Sequence, residues 1–405
     1  MKLQRREVKI AGVFIVLGIL LGSLVAYAAT PSSTFWISSG VYPGASSYTV
    51  WKEGSDYFAK DSNGWIEFSG TNASDLMQDS IDSVIASQGG TILLIHGDYV
   101  LDTTLTIVGD AYYEAPVILR GEASHADSGR GTTLAYTGLS GAVIEIGDGT
   151  TKTSNVKIVD VAFVGDNTGG SIGIELLGGT YNTISRVKIN EFEKGIVINS
   201  SSIANHYSRF EEIQMWKVGY GIESTGVSHA ANTNSFWHIS ISGDSLATGQ
   251  IGVNLLIGEY NSFIQVYLHA FNLGIKLNDT WANTFINLVI DNGVTGINLT
   301  SNAIRDQFFN PLIVVSGTRI NNDGEAVKFY GSNYQTCGTA TILNGQTSVD
   351  VAHGLLTDPT CVTLGATHIE VVNATWSVDW QNITITVPNA VSGNRDVGYY
   401  ANHQP

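Results

Sequence analysis

Carboxylate, imidazole, cationic and aromatic side chains recur at fixed positions between residues 182 and 291. They follow a repeated unit that begins at Asn182, Ser208, Asn234, Asn261 and Asn283. Four residues after each unit lie Arg186, Glu212, His238, Gln265 and Asn287. Six residues after it lie Lys188, Gln214, Ser240, Tyr267 and Val289, and eight residues after it lie Asn190, Trp216, Ser242, His269 and Asp291. Because apolar residues occupy the fifth and seventh positions, we expect all three sets to share one outward surface.

This surface combines residue types that recognise and cut sugar chains. Aromatic rings stack on pyranose faces, whereas carboxylates and imidazoles bind hydroxyl groups and transfer protons. We therefore interpret Glu212, His238 and Asp291 as candidate catalytic residues. The candidate substrate-binding residues are Arg186, Lys188, Trp216, Tyr267 and His269. For each residue taken alone, the alternative interpretation is an ordinary solvated strand position.

Cleavage by hydrolysis needs two carboxyl groups about 5–5.5 Å apart for retention, or 6.5–9.5 Å apart for inversion. Glu212 and Asp291 are three repeats apart, roughly 14 Å by strand spacing, which is too far. Glu211 and Glu212 are adjacent, but strand alternation predicts that they point in different directions. Elimination would instead need a base and a cation, and Arg186, Lys188 and His238 offer both.

The elements that position these side chains form an internal repeat of about 22 residues. A glycine followed by Ile or Val recurs at Gly173, Gly195, Gly221, Gly252, Gly274 and Gly296. No single repeat can bury its own apolar residues, so the pattern predicts short strands stacked on their counterparts one coil away. The recurring Asn is expected at a bend, where it hydrogen-bonds to neighbouring coils. A further outward set, which we interpret as plain surface, holds Glu175, Glu223, Asn254, Lys276 and Asn298.

The residues upstream of the repeat carry a recognisable pattern. Residues 73–85 read as an amphipathic helix, followed by Gly89-Gly90-Thr91-Ile92 and by Gly97-Asp98-Tyr99-Val100-Leu101. This order resembles the N-terminal cap and first coil of the pectate-lyase-like superfamily, which includes polysaccharide lyases, glycoside hydrolases and phage tailspikes. The resemblance covers roughly residues 50–330. It implies an all-β, right-handed, single-stranded parallel β-helix with an N-terminal capping helix over residues 73–330.

The activity implied by the resemblance is less specific than the fold. The clustered aspartates of calcium-dependent pectate lyases are missing, as are the Asp-Asp and Gly-His-Gly motifs of polygalacturonases. We therefore expect no cofactor and no metal site; calcium stays open as an alternative that no motif supports. Two function classes stay open. One is an enzyme, either a lyase or a glycoside hydrolase; the other is a non-catalytic adhesin or glycan-binding spike.

The two ends of the chain predict further modules. Residues 30–72 read as a β-rich segment, and residues 337–401 alternate like strands joined by turns. The latter resemble the small C-terminal β-sandwich of tailspike-like proteins, which implies a homotrimer. Cys337 and Cys361 lie at this end, and we expect either one disulfide or two free thiols.

The N-terminus and the charge indicate where the protein works. Basic residues precede an apolar run that ends near Ala28, so residues 1–29 read as a secretory signal peptide or an uncleaved membrane anchor. We therefore expect the rest of the chain at the cell surface or outside the cell. The formal net charge of −16 argues against nucleic acid as a partner. The expected partner is a polysaccharide or a cell-surface glycan.

Overall fold

The structure is a computed structural model, and it describes ten stretches of the chain. These stretches are residues 46–109, 116–124, 131–200, 203–226, 231–243, 249–330, 335–352, 361–366, 368–378 and 382–402. The predicted signal or anchor at residues 1–29 lies outside them. Within them, no helix has the length and apolar character needed to cross a bilayer.

Four parallel ladders of strands, numbered 1 to 4 in chain order within each coil, build the main body. Ladder 1 contains Ser46–Glu53, Gly90–Leu94, Val117–Gly121, Val156–Val159, Thr183–Ser185, Thr284–Ile286, Gln307–Phe309, Lys328–Tyr330 and the first halves of Arg209–Trp216, Ser235–Ser242 and Ser262–His269. Ladder 2 contains the second halves of those three strands with Gly97–Val100, Thr132–Ala135, Ala162–Val164, Lys188–Asn190, Val289–Gly293 and Leu312–Val315.

The other two ladders complete each coil. Ladder 3 contains Leu105–Ile107, Gly141–Ile146, Ser171–Leu176, Lys194–Ser200, Tyr220–Gly226, Ile251–Glu259, Leu273–Trp281, Thr295–Leu299 and Ile320–Asn322. Ladder 4 is short and contains Thr153–Ser154, Gly179–Thr180, Asn205–His206, Ala231–Asn232, Ala303–Ile304 and the ends of Ile251–Glu259 and Leu273–Trp281. Every pairing between coils is parallel. The prediction of a parallel β-helix is therefore confirmed.

Stacked side chains of one kind fill the interior of the coils. Six phenylalanines lie one above another behind ladder 1, with successive ring centroids 4.4–4.8 Å apart and nearly parallel rings: Phe210, Phe236, Phe263, Phe285, Phe308 and Phe329. All six are buried. The repeated glycines lie where the coils approach most closely. A Cβ on Gly274, for example, would lie 2.7 Å from the carbonyl oxygen of Gly296.

The repeated asparagines form a buried hydrogen-bonded ladder of their own. Asn261 Oδ1 accepts the backbone N–H of Asn234, and Asn283 Oδ1 accepts that of Asn261, each at 2.9 Å. Asp306 ends the series by accepting from the backbone N–H and the side-chain amide of Asn283. These side chains satisfy backbone donors at the bend, so the structural role predicted for the asparagines is confirmed.

The bends before and after ladder 1 use the left-handed backbone region in most coils, as does the bend after ladder 2 at Glu191, Lys217, Ala270 and Asn292. The bend between ladders 1 and 2 holds Asp160, Arg186, Glu212, His238, Gln265, Asn287 and Asn310, and the bend between ladders 4 and 1 holds Asn155, Tyr181, Tyr207, Thr233, Tyr260, Ala282 and Arg305. Their φ angles lie between 49° and 60°. The fourth position of the repeat is therefore a bend rather than a strand position, which the strand alternation did not predict.

The N-terminal end of the coils is capped by one helix and one hairpin. The helix Ala73–Ala86 begins after Asn72, whose side chain accepts the backbone N–H of Ser74, and buries Leu76, Met77 and Ile81. Strands Asp56–Lys60 and Ile66–Gly70 extend antiparallel from Ser46–Glu53. Because Ser46–Glu53 pairs with Gly90–Leu94, this β-rich segment continues ladder 1.

Two small antiparallel sheets form the C-terminal region. One has the strand order Gln335–Ile342, Arg395–Asn402, Cys361–Ala366, and the other Ser348–Ala352, Asn382–Thr386, Thr375–Val378. A short 3-10 helix spans Ile369–Val371. A separate apolar cluster that includes Ile342, Ile383, Ile385 and Val397 lies within this region.

The strand order in the first of these sheets argues against the predicted disulfide between Cys337 and Cys361. Cys337 pairs with Tyr400, and Cys361 pairs with Asn402 on the opposite side of the same central strand. Two strand spacings alone separate their Cα atoms by roughly 9.6 Å, and the offset of two residues along the central strand adds to this distance. A disulfide needs Cα atoms about 4.4–6.8 Å apart, so a bond within one chain would require the backbone to move.

Candidate functional site

The three outward columns predicted from the repeat exist in the structure. Lys188, Gln214, Ser240, Tyr267 and Val289 are paired from coil to coil, and so are Asn190, Trp216, Ser242, His269 and Asp291. Both columns lie on ladder 2, and the bend beside them carries the fourth-position residues. We call ladder 2 and this bend the ladder 2 face.

Tyr267, His269 and Asp291 converge on this face. The Tyr267 hydroxyl donates to Asp291 Oδ2 at 3.2 Å, and His269 Nδ1 lies 3.4 Å from both the Tyr267 hydroxyl and Asp291 Oδ2. The Tyr267 and His269 rings are near-parallel, with centroids 6.1 Å apart. Partial burial, followed by the neighbouring Asp291 carboxylate, raises the pKa of the Tyr267 phenol. The phenol therefore stays a protonated hydrogen-bond donor over the physiological pH range.

Trp216 provides an exposed aromatic platform on the same face. It is 53% exposed and lies two coils from His269 in the same column. Lys217 Nζ sits 4.9 Å from the centroid of a Trp216 ring and donates to Glu191 Oε1 at 2.6 Å. The ion pair and the cation–π contact hold the edge of the platform in place.

Glu212 and His238 occupy the same bend position on neighbouring coils. Both side chains are exposed, and the His238 ring stacks on Trp237 with centroids 4.4 Å apart. Asp291 lies three coils from Glu212, as the sequence predicted, so these residues do not form one catalytic carboxyl pair. Of the predicted catalytic residues, Asp291 alone joins the Tyr267–His269 cluster.

The bend also changes which neighbouring residues face outward. Because Glu212 has a left-handed backbone, Glu211 and Glu212 both lie on the outside between the inward Phe210 and Ile213. Both glutamates therefore lie outside the coil, Glu211 on ladder 1 and Glu212 on the bend. Glu211 pairs with Arg209 at 2.9 Å. Trp237 occupies the equivalent outward position on the next coil, and sequence reasoning missed it.

Arg186 is held by a carboxylate of its own chain. Its Nε and Nη2 donate to the two Asp160 oxygens at 2.6 and 2.9 Å, and Arg120 Nε lies 3.6 Å from the same carboxylate. The hydrogen bond with Asp160 raises the pKa of the Arg186 guanidinium. Lys188 lies next to Gln214 on ladder 2, half-exposed. The N-terminal end of the face is thus cationic.

The second outward column, on ladder 3, is not plain surface. Glu223 and Asn254 are only 5% and 4% exposed, and Asn254 Nδ2 donates to Glu223 Oε1 at 2.9 Å. Lys194 Nζ donates to the other Glu223 oxygen at 2.5 Å. Further along the column, burial and the nearby Glu175 raise the pKa of Glu145. The sequence interpretation was wrong for Glu223 and Asn254, because both side chains are buried and Glu223 accepts hydrogen bonds from Asn254 and Lys194.

No group of three or more His, Cys, Asp or Glu side chains in the described stretches is placed to hold a metal ion.

Comparisons with known proteins found solved structures that are similar to this chain. No protein-family profile matches the chain, and no curated protein sequence does. The ORF18 protein of Geobacillus virus E2 is 14% identical, with 80% of this chain and 75% of that chain covered and a TM-score of 0.38. The tailspike gp49 of Acinetobacter baumannii bacteriophage Fri1, a capsular polysaccharide depolymerase, is 10% identical, with coverages of 81% and 82% and a TM-score of 0.35.

A third similar structure is DFA-IIIase from Arthrobacter chlorophenolicus A6 without its lid. It is 12% identical, with 63% of this chain and 88% of that chain covered and a TM-score of 0.35. The fold of the present chain is established by its own strand pairing. This chain is a parallel β-helix protein.

Proposed function

We propose that the chain binds a polysaccharide along the ladder 2 face, outside the cell. The observation that carries the proposal is the convergence of Tyr267, His269 and Asp291 on the face that also presents Trp216. The cluster offers a ring for stacking and a phenol, an imidazole and a carboxylate for sugar hydroxyls. The face runs along the stacking axis, so it suits a chain of sugars better than a compact ligand.

Stacking supplies most of the binding energy in this proposal. An exposed ion pair contributes only about 0–1 kcal/mol. Burying one ring face of Trp or Tyr removes a larger apolar area from water, at roughly 25 cal/mol per Å². Trp216 and Tyr267 therefore contribute more than the charged groups.

A binding measurement on the full chain tests the proposal. Affinity electrophoresis through gels that contain soluble polysaccharides should show retarded migration. Trp216→Ala and Tyr267→Ala should each weaken binding about tenfold, on the order of 1.4 kcal/mol. Trp65→Ala is the matched control, because Trp65 is more exposed than Trp216 but lies on the N-terminal hairpin. Equal retardation of all three variants would contradict the proposal.

Cleavage of the bound chain by elimination is a second candidate function. It is favoured by the contact between the Tyr267 phenol and His269 Nδ1, which lie 3.4 Å apart. In an elimination, a base removes the C–H proton next to a uronic carboxylate, the bond to the leaving oxygen breaks, and an acid protonates that oxygen. In this candidate function, His269 acts as the base and Tyr267 as the acid.

One substitution separates cleavage from binding. Tyr267→Phe keeps the stacking ring and removes the acid, so it should abolish the appearance of unsaturated sugar ends while binding stays within about threefold. If the native protein produces no unsaturated ends from any uronic polymer tested, cleavage by elimination is excluded and only the binding function is left. That result would favour the adhesin class.

A further inference from the structure

A second row of exposed aromatic side chains follows a different edge of the β-helix. Tyr181, Tyr207 and Tyr260 lie on the bend between ladders 4 and 1, and Trp281 lies beside Tyr260. Tyr207 and Tyr260 are 51% and 53% exposed, and Tyr181 and Trp281 are also exposed. Tyr181 and Tyr207 stack with centroids 5.3 Å apart. We call these four residues the tyrosine edge.

Folding alone does not account for tyrosine at these bend positions. The backbone φ angles of Tyr181, Tyr207 and Tyr260 are 60°, 54° and 55°. Non-glycine residues are disfavoured in this region, and asparagine tolerates it better than tyrosine does. The rings do not offset the strain by burial, since they face solvent. The same φ recurs at this bend at Asn155, Thr233, Ala282 and Arg305, so the conformation belongs to the coil and does not itself require tyrosine.

The edge is held rigidly from behind. Tyr181 and Tyr260 precede Asn182 and Asn261 of the buried asparagine ladder. Tyr207 precedes Ser208, whose backbone N–H donates to Asn234 Oδ1 at 2.9 Å. The ladder bonds Asn234 to Asn261 and Asn261 to Asn283. The rings are therefore presented on a fixed backbone, with Tyr207 and Tyr260 two coils, roughly 9.6 Å, apart.

The surface beside the edge is polar. Ser235, Ser262 and Thr284 face outward on ladder 1, next to the bend, and are half-buried. At the far end, the Arg305 guanidinium lies over Trp281, 5.3 Å from a ring centroid. The Tyr260 ring and the outer faces of the Tyr181–Tyr207 stack, bordered by hydroxyl groups, match the apolar faces and hydroxyl groups of a sugar chain.

We infer that the tyrosine edge is a second polysaccharide-binding surface, distinct from the ladder 2 face. A second copy of the chain is the less suitable occupant. A stable protein interface buries about 800 Å² per partner around an apolar centre. Here Thr233 and Ala282 interrupt the aromatic row, and hydroxyl side chains border it. Stacking of sugars needs only single ring faces.

Substitution by asparagine tests the inference because it removes the ring and suits the backbone. The full chain carrying Tyr207→Asn and Tyr260→Asn would be compared with Thr233→Asn, which changes the same bend position without removing a ring. The readouts are affinity electrophoresis in dextran, glucomannan, xylan and alginate, and the thermal unfolding midpoint. The tyrosine variant should bind at least one polymer threefold or more weakly, with an unchanged or higher midpoint. Thr233→Asn should bind like the native chain.

The same substitutions in a chain that carries Trp216→Ala and Tyr267→Ala separate the two surfaces. Residual binding that disappears with the tyrosine substitutions supports the inference. Binding that depends on Trp216 and Tyr267 but is unaffected by Tyr207→Asn and Tyr260→Asn overturns the inference and leaves the ladder 2 face intact. If Tyr207→Asn and Tyr260→Asn change the oligomeric state and leave polysaccharide binding unchanged, the tyrosine edge contacts a second copy of the chain. That result also overturns the inference. Failure of the native chain to bind any of the four polymers overturns both proposals.

Discussion

At the scale of single residues, position in the coil decides what a charged side chain can do. Arg186 and Asp160 occupy the same bend position on neighbouring coils, so the stacking itself brings them into a bidentate ion pair. From its residue type alone, Arg186 was expected to be an unpaired cation that binds the substrate. The phase of the repeat predicted that Tyr267, His269 and Asp291 share one outward surface, and the strand pairing places all three on ladder 2.

The hydrogen bonds among Tyr267, His269 and Asp291 could not be predicted from the sequence. Whether Tyr267 reaches Asp291 depends on rotamers and on the distance between two coils. The tyrosine edge was also missed. Its residues lie just before the first residue of a repeated unit, outside the positions from which the outward surface was predicted. A tyrosine just before three of the five repeated units, at residues 181, 207 and 260, was the available signal.

Asp306 gives a prediction for pH dependence. Burial raises the pKa of its carboxyl above the ordinary value. The proton is thus held more tightly in the folded chain, and the associated stability is present below the unfolded pKa of about 3.9 and lost as pH rises through the folded pKa. Asp306→Asn removes the buried charge, and its amide oxygen can still accept from Asn283. The variant should have a larger free energy of unfolding at pH 7, with a gain that shrinks toward pH 3.

Asp306→Ala is the contrasting variant. It leaves donors on Asn283 and Thr280 without their acceptor and should cost about 1–3 kcal/mol at both pH values. Denaturant unfolding measured at the two pH values checks both substitutions. A loss of stability at pH 7 in Asp306→Asn equal to that in Asp306→Ala would show that the charge itself is required.

At the scale of elements, the repeat predicted the ladders and their register. Glycines every 22 to 31 residues and apolar residues at the fifth and seventh positions were enough to align the strands of successive coils. The left-handed bends were not predicted, because arginine, glutamate, histidine and tyrosine there give no signal of positive φ. As a result, the outward positions of Glu211 and Trp237 were missed. Burial on ladder 3 was missed since it depends on neighbouring side chains rather than on alternation.

The phenylalanine stack gives a prediction for stability. Phe263 lies in the middle of the stack and is buried between Phe236 and Phe285. Phe263→Ala should lower the free energy of unfolding by about 3–5 kcal/mol, because a cavity replaces the ring. Phe309→Ala is the matched control, since Phe309 stacks on Tyr330 on the outside of ladder 1 and should cost about 1 kcal/mol or less. Similar losses in both variants, measured by denaturant unfolding, would contradict a core role for the stack.

At the scale of the whole molecule, the predicted all-β architecture of a capped parallel β-helix with a C-terminal antiparallel module is confirmed. The resemblance of the N-terminal cap and first coil was specific for this fold. The predicted trimer and the predicted export are not tested by the fold, because they depend on partner chains and on residues outside the described stretches. They remain proposals.

The trimer proposed from the C-terminal module is tested by light scattering. The full chain should have three times the monomer mass, and a chain that ends at Tyr330 should be monomeric, because the two sheets between Gln335 and Asn402 would supply the contacts between chains. Measurement at several concentrations separates weak from stable assembly. A monomeric full chain would exclude this arrangement, and a trimeric truncated chain would move the contacts onto the β-helix.

The central claim is that a polysaccharide lies on the ladder 2 face, and hydroxyl-radical footprinting of the full chain tests it most directly. Oxidation of individual side chains is measured by mass spectrometry with and without a polymer that retards the protein in gels. Trp216, Tyr267 and His269 should be protected by the polymer, whereas Trp65 on the N-terminal hairpin should be oxidised equally in both conditions. Unchanged oxidation of Trp216 and Tyr267 in a sample that demonstrably binds the polymer would contradict the claim and place the glycan elsewhere on the molecule.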